Sequence, residues 1–276
     1  MQEVERARER LENIRSVKPI LGGLRTISLG SWQAALKRRS GVQNYAEQLR
    51  GMLPWLVPHL ETAPGLLARL RESLPAIRRS ERHGNDEADS SPGRLKALVI
   101  GSERGLCGRF NVAVVDEVER YLHRTSAEGW SVDLLALGSR AKRILKRQGY
   151  APNEVGSLSM TALPSLSLAF DLARQWLGAY EERDIDGVDI IYNQYHGTGA
   201  YEPTVMRLIP PQIARKSVAS EEGDVGRAGD GREAVGRSGA WPPPIIDTDP
   251  VSLYATVIEQ SVAVELYRVL LASSAA

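Results

Sequence analysis

LKALVIGSERGLCGRFN, residues 95–111, decides the fold. Its first six residues are an unbroken apolar run apart from Lys96, the pattern of a strand buried on both faces. Three glycines and the only cysteine follow, and then Val112, Val115, Val118 and Leu122 recur at helical spacing. The glycines therefore sit at a strand-to-helix turn, where phosphate loops and nucleophiles are commonly placed. A phosphate loop would require Lys and Ser/Thr after its last glycine, and a dinucleotide fingerprint G-x-G-x-x-G. Gly101, Gly105 and Gly108 satisfy neither spacing. Cys107 near a helix N-terminus would have a lowered pKa, but a nucleophile also needs a positioned base. His59, His83, His123 and His196 stand in no recognisable relation to it. The turn thus reads as a backbone-shaping element with Cys107 buried, and not as a catalytic one.

Outward from the turn, strand and helix patterns alternate. SVDLLALG (131–138) reads as a second strand, residues 139–148 as a helix with a basic, solvated face (Lys142, Arg143, Lys146, Arg147), and residues 164–180 as another helix. GVDIIYNQYH (187–196) and EPTVMRLIPP (202–211) read as further strands, and Asp184 and Asp186 as a turn before the first of these. Such alternation predicts an α/β layer domain.

Residues 1 to about 55 read as one long helix. Ala7, Ile14, Leu21, Ser28, Ala35, Val42 and Leu49 lie seven apart, and Val4, Leu11, Lys18, Arg25, Trp32, Arg39 and Ala46 precede them by three. This imperfect heptad seam asks for a helical partner along one side. Pro19 with Gly22 and Gly23 falls inside it, which leaves open a break into two helices near residues 16–23. Residues 54–94 carry short apolar helical stretches punctuated by prolines, ending in a polar linker from Ser80. Residues 216–241 are rich in Gly and charge, a flexible insertion by composition. Asp249-Pro250 opens a last helix that is apolar on more than one side.

Thirty-five basic against 34 acidic side chains give a net charge of +1, so no global charge argues for nucleic acid. One cysteine excludes an internal disulfide and a cysteine-based zinc site. No histidine pair has metal spacing, no apolar run approaches a membrane span, and the N-terminus lacks the apolar core of a secretory signal. No catalytic residue, metal or cofactor is expected.

The segment LVIGSERGLCGRFN resembles the signature of the gamma subunit of F-type ATP synthases, close to Ser/Thr-Asp-Arg-Gly-Leu-Cys-Gly-x-Leu/Phe-Asn. Ser102, Arg104, Gly105, Leu106, Cys107, Gly108, Phe110 and Asn111 match it, and Glu103 stands where Asp is usual. Ile14, Ser16 and Val17, then Tyr45, Ala46 and Glu47, resemble the family's first helix. EPTVMRLIPP resembles its strand before the final linker, and Glu259 and Gln260 its C-terminal helix. The resemblance implies a central α/β layer domain flanked by N- and C-terminal helices forming an antiparallel coiled coil. The implied divisions are 1–60 (N-terminal helix), 61–94 (helical linker), 95–215 (α/β base), 216–241 (insertion) and 242–276 (C-terminal helix).

It further implies a non-catalytic central-stalk rotor of a proton-translocating F-type ATP synthase. Such a rotor transmits torque between the membrane c-ring and the catalytic alpha/beta ring. Its partners would be the alpha, beta and epsilon subunits and the c-ring, its place the cytoplasmic face of the membrane, reached only through the complex. Arg104, Gly105, Leu106, Cys107, Gly108 and Asn111 would be structural. Relative to the family the C-terminal helix reads as shortened at Ala276, so the upper shaft is expected to be a single helix or poorly formed. A gamma-like interaction or regulatory module without rotor function is the second reading.

Overall fold

The computed structural model describes residues 2–56, 93–103, 105, 107–159, 162–197, 200–211 and 246–275. The proline-punctuated stretch after Leu56, most of the polar linker and the insertion at 216–241 lie outside the described residues. Five helices and five strands are described: α1 (Gln2–Leu56), β1 (Arg94–Ile100), α2 (Phe110–Ala127), β2 (Ser131–Leu137), α3 (Ser139–Arg147), β3 (Asn153–Glu154), α4 (Leu166–Glu181), β4 (Gly187–Gly197), β5 (Ala200–Ile209) and α5 (Pro250–Ala275).

The strands form one sheet in the order β3-β2-β1-β4-β5. β1 is central and pairs in parallel with β2 (Leu98 opposite Leu135) and with β4 (Leu98 opposite Ile190), while β5 returns antiparallel to β4. Side chains alternate between faces as a pleated strand requires. Leu98 and Ile100 of β1, Leu135 and Leu137 of β2 and Val188, Ile190 and Tyr192 of β4 enter one core with α4, α5 and the end of α1. Ala97 and Val99 of β1, Leu134 of β2 and Ile191 of β4 enter the other, beneath α2 and α3. Both faces are covered, which is why β1 reads as a continuous apolar run.

α5 starts at Pro250, where Asp249-Pro250 predicts it. Asp249 caps it, its Oδ2 accepting from the Ser252 N–H (2.8 Å) and hydroxyl (2.6 Å), and Pro250 costs the first turn no needed N–H. The helix is buried on most sides, from Tyr254 through Ala275, because it lies between α1 on one side and α4 and the sheet on the other. Arg174 of α4 donates to Glu259 (2.6 Å). Arg38 of α1 donates to the Tyr267 hydroxyl (3.2 Å) and Tyr45 to Gln260 (2.6 Å). As α1 advances by seven residues its partner in α5 retreats by seven, so the two helices run antiparallel.

α1 continues through Pro19 without a break, so of the two readings at residues 16–23 the uninterrupted helix is the one found. Pro19 and the residues before it are exposed, so water can serve the carbonyl that loses its N–H partner there.

Candidate functional site

The glycine-rich turn between β1 and α2 sits at the carboxyl end of the central strand. After β1 the chain builds outward through β2 to β3, then returns to place β4 on the other side of β1. The turn therefore lies where the strand order reverses, the place where open α/β sheets form a crevice. Close packing fixes it. Gly101 N–H donates to Leu137 O (2.8 Å), and a Cβ on Gly101 would come within 2.3 Å of the Ala141 Cβ. Gly138 has φ +105°, and a Cβ there would lie 2.6 Å from the Gly101 backbone. The two turns that follow β1 and β2 thus touch backbone to backbone, and only glycine at both positions permits it.

Asn111 closes the turn from the α2 side. Its Oδ1 accepts from Ser102 N–H (2.9 Å) and its Nδ2 donates to the Ser102 hydroxyl (2.8 Å), and it is buried. Gly108 takes φ +52°, the left-handed conformation that glycine adopts without strain. Gly105 lies within van der Waals reach of the Arg140 guanidinium, and its carbonyl accepts from the Cys107 thiol at 3.4 Å. Cys107 O accepts from Phe110 N–H (3.1 Å), which starts α2. Arg104 and Leu106 lie outside the described residues. Cys107 is half-buried, which corrects the expectation of a buried thiol. The turn lies at the carboxyl end of the central strand, and the thiol donates within the turn, to the Gly105 carbonyl, instead of entering either core.

Glu103 does what a shorter carboxylate could not. One oxygen accepts from Ser139 N–H at the start of α3 (3.2 Å) and the other from Leu158 N–H (3.2 Å). Burial alone would raise its carboxyl; the hydrogen bonds from Ser139 and Leu158 and the charge of Arg140 outweigh that and hold it below the ordinary value. The extra methylene relative to Asp lets one side chain span two segments. A cavity of about 720 Å³ opens beside this turn, lined by Leu29 and Trp32 of α1, Cys107, Phe110, Leu163 and Ser274 among others. Phe110 meets Tyr201 edge to face, centroids 5.4 Å apart.

The other residues weighed in the sequence are dispersed. Asp186 accepts from Arg94 N–H at the mouth of β1 (2.8 Å), a turn role as expected. Lys142 pairs with Glu154 of β3, and Arg143, Lys146 and Arg147 are exposed. His196 lies 3.4 Å from Glu202, and His123 is exposed. His59 and His83 lie outside the described residues. Among the described residues no group of three or more His, Cys, Asp or Glu could hold a metal, and no helix is long and apolar enough to cross a membrane.

Sequence reasoning missed a buried polar cluster under α2. Asp189 of β4 is buried, receives the Tyr121 hydroxyl (2.7 Å) and forms a two-pronged pair with Arg207 of β5. Burial, and then the Asp189 hydrogen bond, push the Tyr121 hydroxyl well up. The signal was Asp189 itself, a lone charge inside an otherwise apolar strand, which must be paired if it is buried.

A family model described as ATP synthase matches residues 3–276. The ATP synthase gamma chain of Granulibacter bethesdensis is 24% identical over 285 residues, covering 100% of this chain and 83% of that relative. The ATP synthase gamma chain of Syntrophus aciditrophicus is 30% identical over 130 residues, covering 47% of this chain and 44% of its own length. In fold, the chain resembles one from the central stalk/c-ring of the Tetrahymena thermophila mitochondrial ATP synthase, with a TM-score of 0.52 at 16% identity and 93% of each chain covered. With a match that runs from the first turn of α1 to the end of α5, the chain belongs to the ATP synthase gamma-chain family.

Proposed function

We propose that this chain is the central-stalk rotor subunit of a proton-translocating F-type ATP synthase. One observation carries the reading. The family match includes both terminal helices, and those helices pack antiparallel on one face of the α/β domain. A rotor needs a stiff shaft and a body to turn. An antiparallel helix pair is stiff because each helix denies the other its bending freedom, and a sheet with both faces packed is a rigid body to mount it on. A module without rotor function is not favoured, since the match takes in the shaft helices as fully as the base.

In this reading residues 1–60 and 242–276 supply an antiparallel coiled coil, 95–215 the base, 61–94 the linker and 216–241 an insertion. The alpha and beta subunits surround the shaft; the epsilon subunit and c-ring hold the base at the cytoplasmic face of the membrane. The chain does no chemistry of its own. The residues Arg104, Gly105, Leu106, Cys107, Gly108 and Asn111 serve as structure. Support comes from the described members of that set, which all act through backbone shape or hydrogen bonds inside one turn. The signature keeps β1, α2 and α3 locked together at the end of the base that faces the front of α1.

The test is assembly. Purified chain mixed with an alpha–beta ring is expected to co-elute with it and to be retained on nucleotide addition. No co-elution, under conditions where an ordinary gamma subunit binds the same ring, refutes the rotor reading.

A further inference from the structure

The helix pair is held on the sheet largely by apolar faces, with Val257, Ile258, Val262 and Leu266 of α5 against Tyr192 and Leu208. Apolar contact is non-directional, and it resists separation better than it resists sliding or rotation. Across the same seam runs one continuous polar chain. Arg50 of α1 donates to Oε2 of Glu265 on α5 (2.7 Å). Oε1 of Glu265 accepts Nε (3.0 Å) and Nη2 (2.6 Å) of Arg268. Nη2 of Arg268 in turn reaches the Met206 sulfur on β5 at 3.8 Å, and its charge lies near the Tyr192 hydroxyl on β4. Tyr192 passes its own hydroxyl hydrogen to Gln194 (3.0 Å). Glu265 thus touches α1 directly and the sheet through a single intermediate, Arg268.

Two features set this chain of contacts apart from an ordinary surface ion pair. The Glu265 and Arg268 side chains are each only 19% exposed, and both Glu265 oxygens are in use. Burial would raise the Glu265 carboxyl, yet Arg268 and Arg50 together hold it below the ordinary value, so it stays ionised. Such buried pairs add little net stability over apolar residues of the same volume, and their best-attested use is to specify register. The geometry is suited to that. A slip of one residue along α5 is about 1.5 Å, enough to break contacts of 2.6–2.7 Å that the apolar faces would tolerate losing.

We infer that Glu265 is a positioning residue that locks the axial and rotational register of the α1–α5 pair on the sheet. It does so by holding Arg50 on one side and Arg268, with Met206 of β5 behind it, on the other. Resting on the rotor reading, its role is to deliver torsion on the shaft to the base instead of losing it as slip.

Glu265→Gln keeps the volume and removes the charge. In the assembled complex in sealed vesicles, the variant is expected to assemble and hydrolyse ATP while proton transport per ATP falls severalfold. Arg50→Gln combined with it should be no worse than Glu265→Gln alone, since both act in one unit. Leu53→Val, destabilised to a similar melting temperature, should keep its transport ratio, which separates register from mere stability. In the isolated chain, spin labels at Gln48 and Glu119 in a Cys107→Ser background should give one narrow distance in the wild type. That distance should broaden in Glu265→Gln and stay narrow in Leu53→Val. An unchanged transport ratio with intact assembly, or an unbroadened distance in Glu265→Gln, overturns the inference. Failure of the wild type to assemble would count against the rotor reading alone, and the distance measurement would still decide this one.

Discussion

The front and back halves of α1 carry one seam and meet opposite fates. From residue 35 onward the seam is inside: Ala35 is buried, and Ala46, Leu49, Leu53 and Leu56 enter the core shared with α5 and the sheet. Before it, the seam residues Leu11 and Ile14 are exposed, Ile14 by 66%, and so are Val17 and Leu29 beside the seam. The heptad spacing is the same in both. Periodicity states which face of a helix is apolar; only the reach of a second helix decides how much of that face is covered. Ser273 and Ser274 of α5 share a cavity with Leu29 and Trp32 of α1, and the apolar positions of α1 before that cavity are the exposed ones. Helices in proteins gain most of their stability from such packing, so the two halves should differ sharply in how they respond to substitution.

The largest contrast is expected from truncating the seam. Leu53→Ala should destabilise the chain by about 2–5 kcal/mol, the usual cost of emptying a buried leucine site. Ile14→Ala should stay within about 0.5 kcal/mol, as for other exposed positions. Urea unfolding of the isolated chain measures both. A cost at Ile14 matching that at Leu53 would break the comparison and mean that the front half is packed after all.

Next in size is Pro19. Its removal restores one backbone hydrogen bond in an exposed stretch, and Pro19→Ala is expected to stabilise the front half by up to about 3 kcal/mol. The gain should be local, seen as slower amide exchange over roughly the surrounding turns, with the global midpoint nearly unchanged. A large rise in the midpoint would show that the two halves unfold as one unit.

How much of this could be read beforehand follows from where each signal lives. Strands β1, β2, β4 and β5 and all five helices announced themselves, since apolar runs and helical spacing are local patterns. Asp249-Pro250 marked the start of α5 for the same reason. β3 did not: Asn153 and Glu154 are both exposed, and two residues have no period. The turn was legible as a turn from its glycines. The reason for two of them was not, because Gly101 and Gly138 are required by each other across 37 residues (138 − 101). Glu103 looked like a conservative departure, and its role appears only once Ser139 and Leu158 are brought to it. Arg50, Glu265 and Arg268 carried no signal in the sequence; their meeting is set by the antiparallel packing, which no local pattern encodes.

The smallest effect separates charge from packing within the buried half. Glu265 is held below its ordinary pKa in the folded chain, so it binds its proton less readily folded than unfolded. Its contribution is therefore fully present above the ordinary glutamate value, and it is lost as pH falls from there through the lower folded value. The size should be on the order of 1 kcal/mol, because burial offsets much of the attraction to Arg268 and Arg50. Glu265→Gln is expected to flatten that limb of the stability–pH curve in proportion. Glu103, shifted in the same direction at the turn, should leave a residual slope. Leu53→Val should lower the whole curve without changing its shape, since no proton is involved. A Glu265→Gln curve parallel to the wild type would mean that the carboxylate is not coupled to folding, leaving the back half of α1 held by its apolar seam alone.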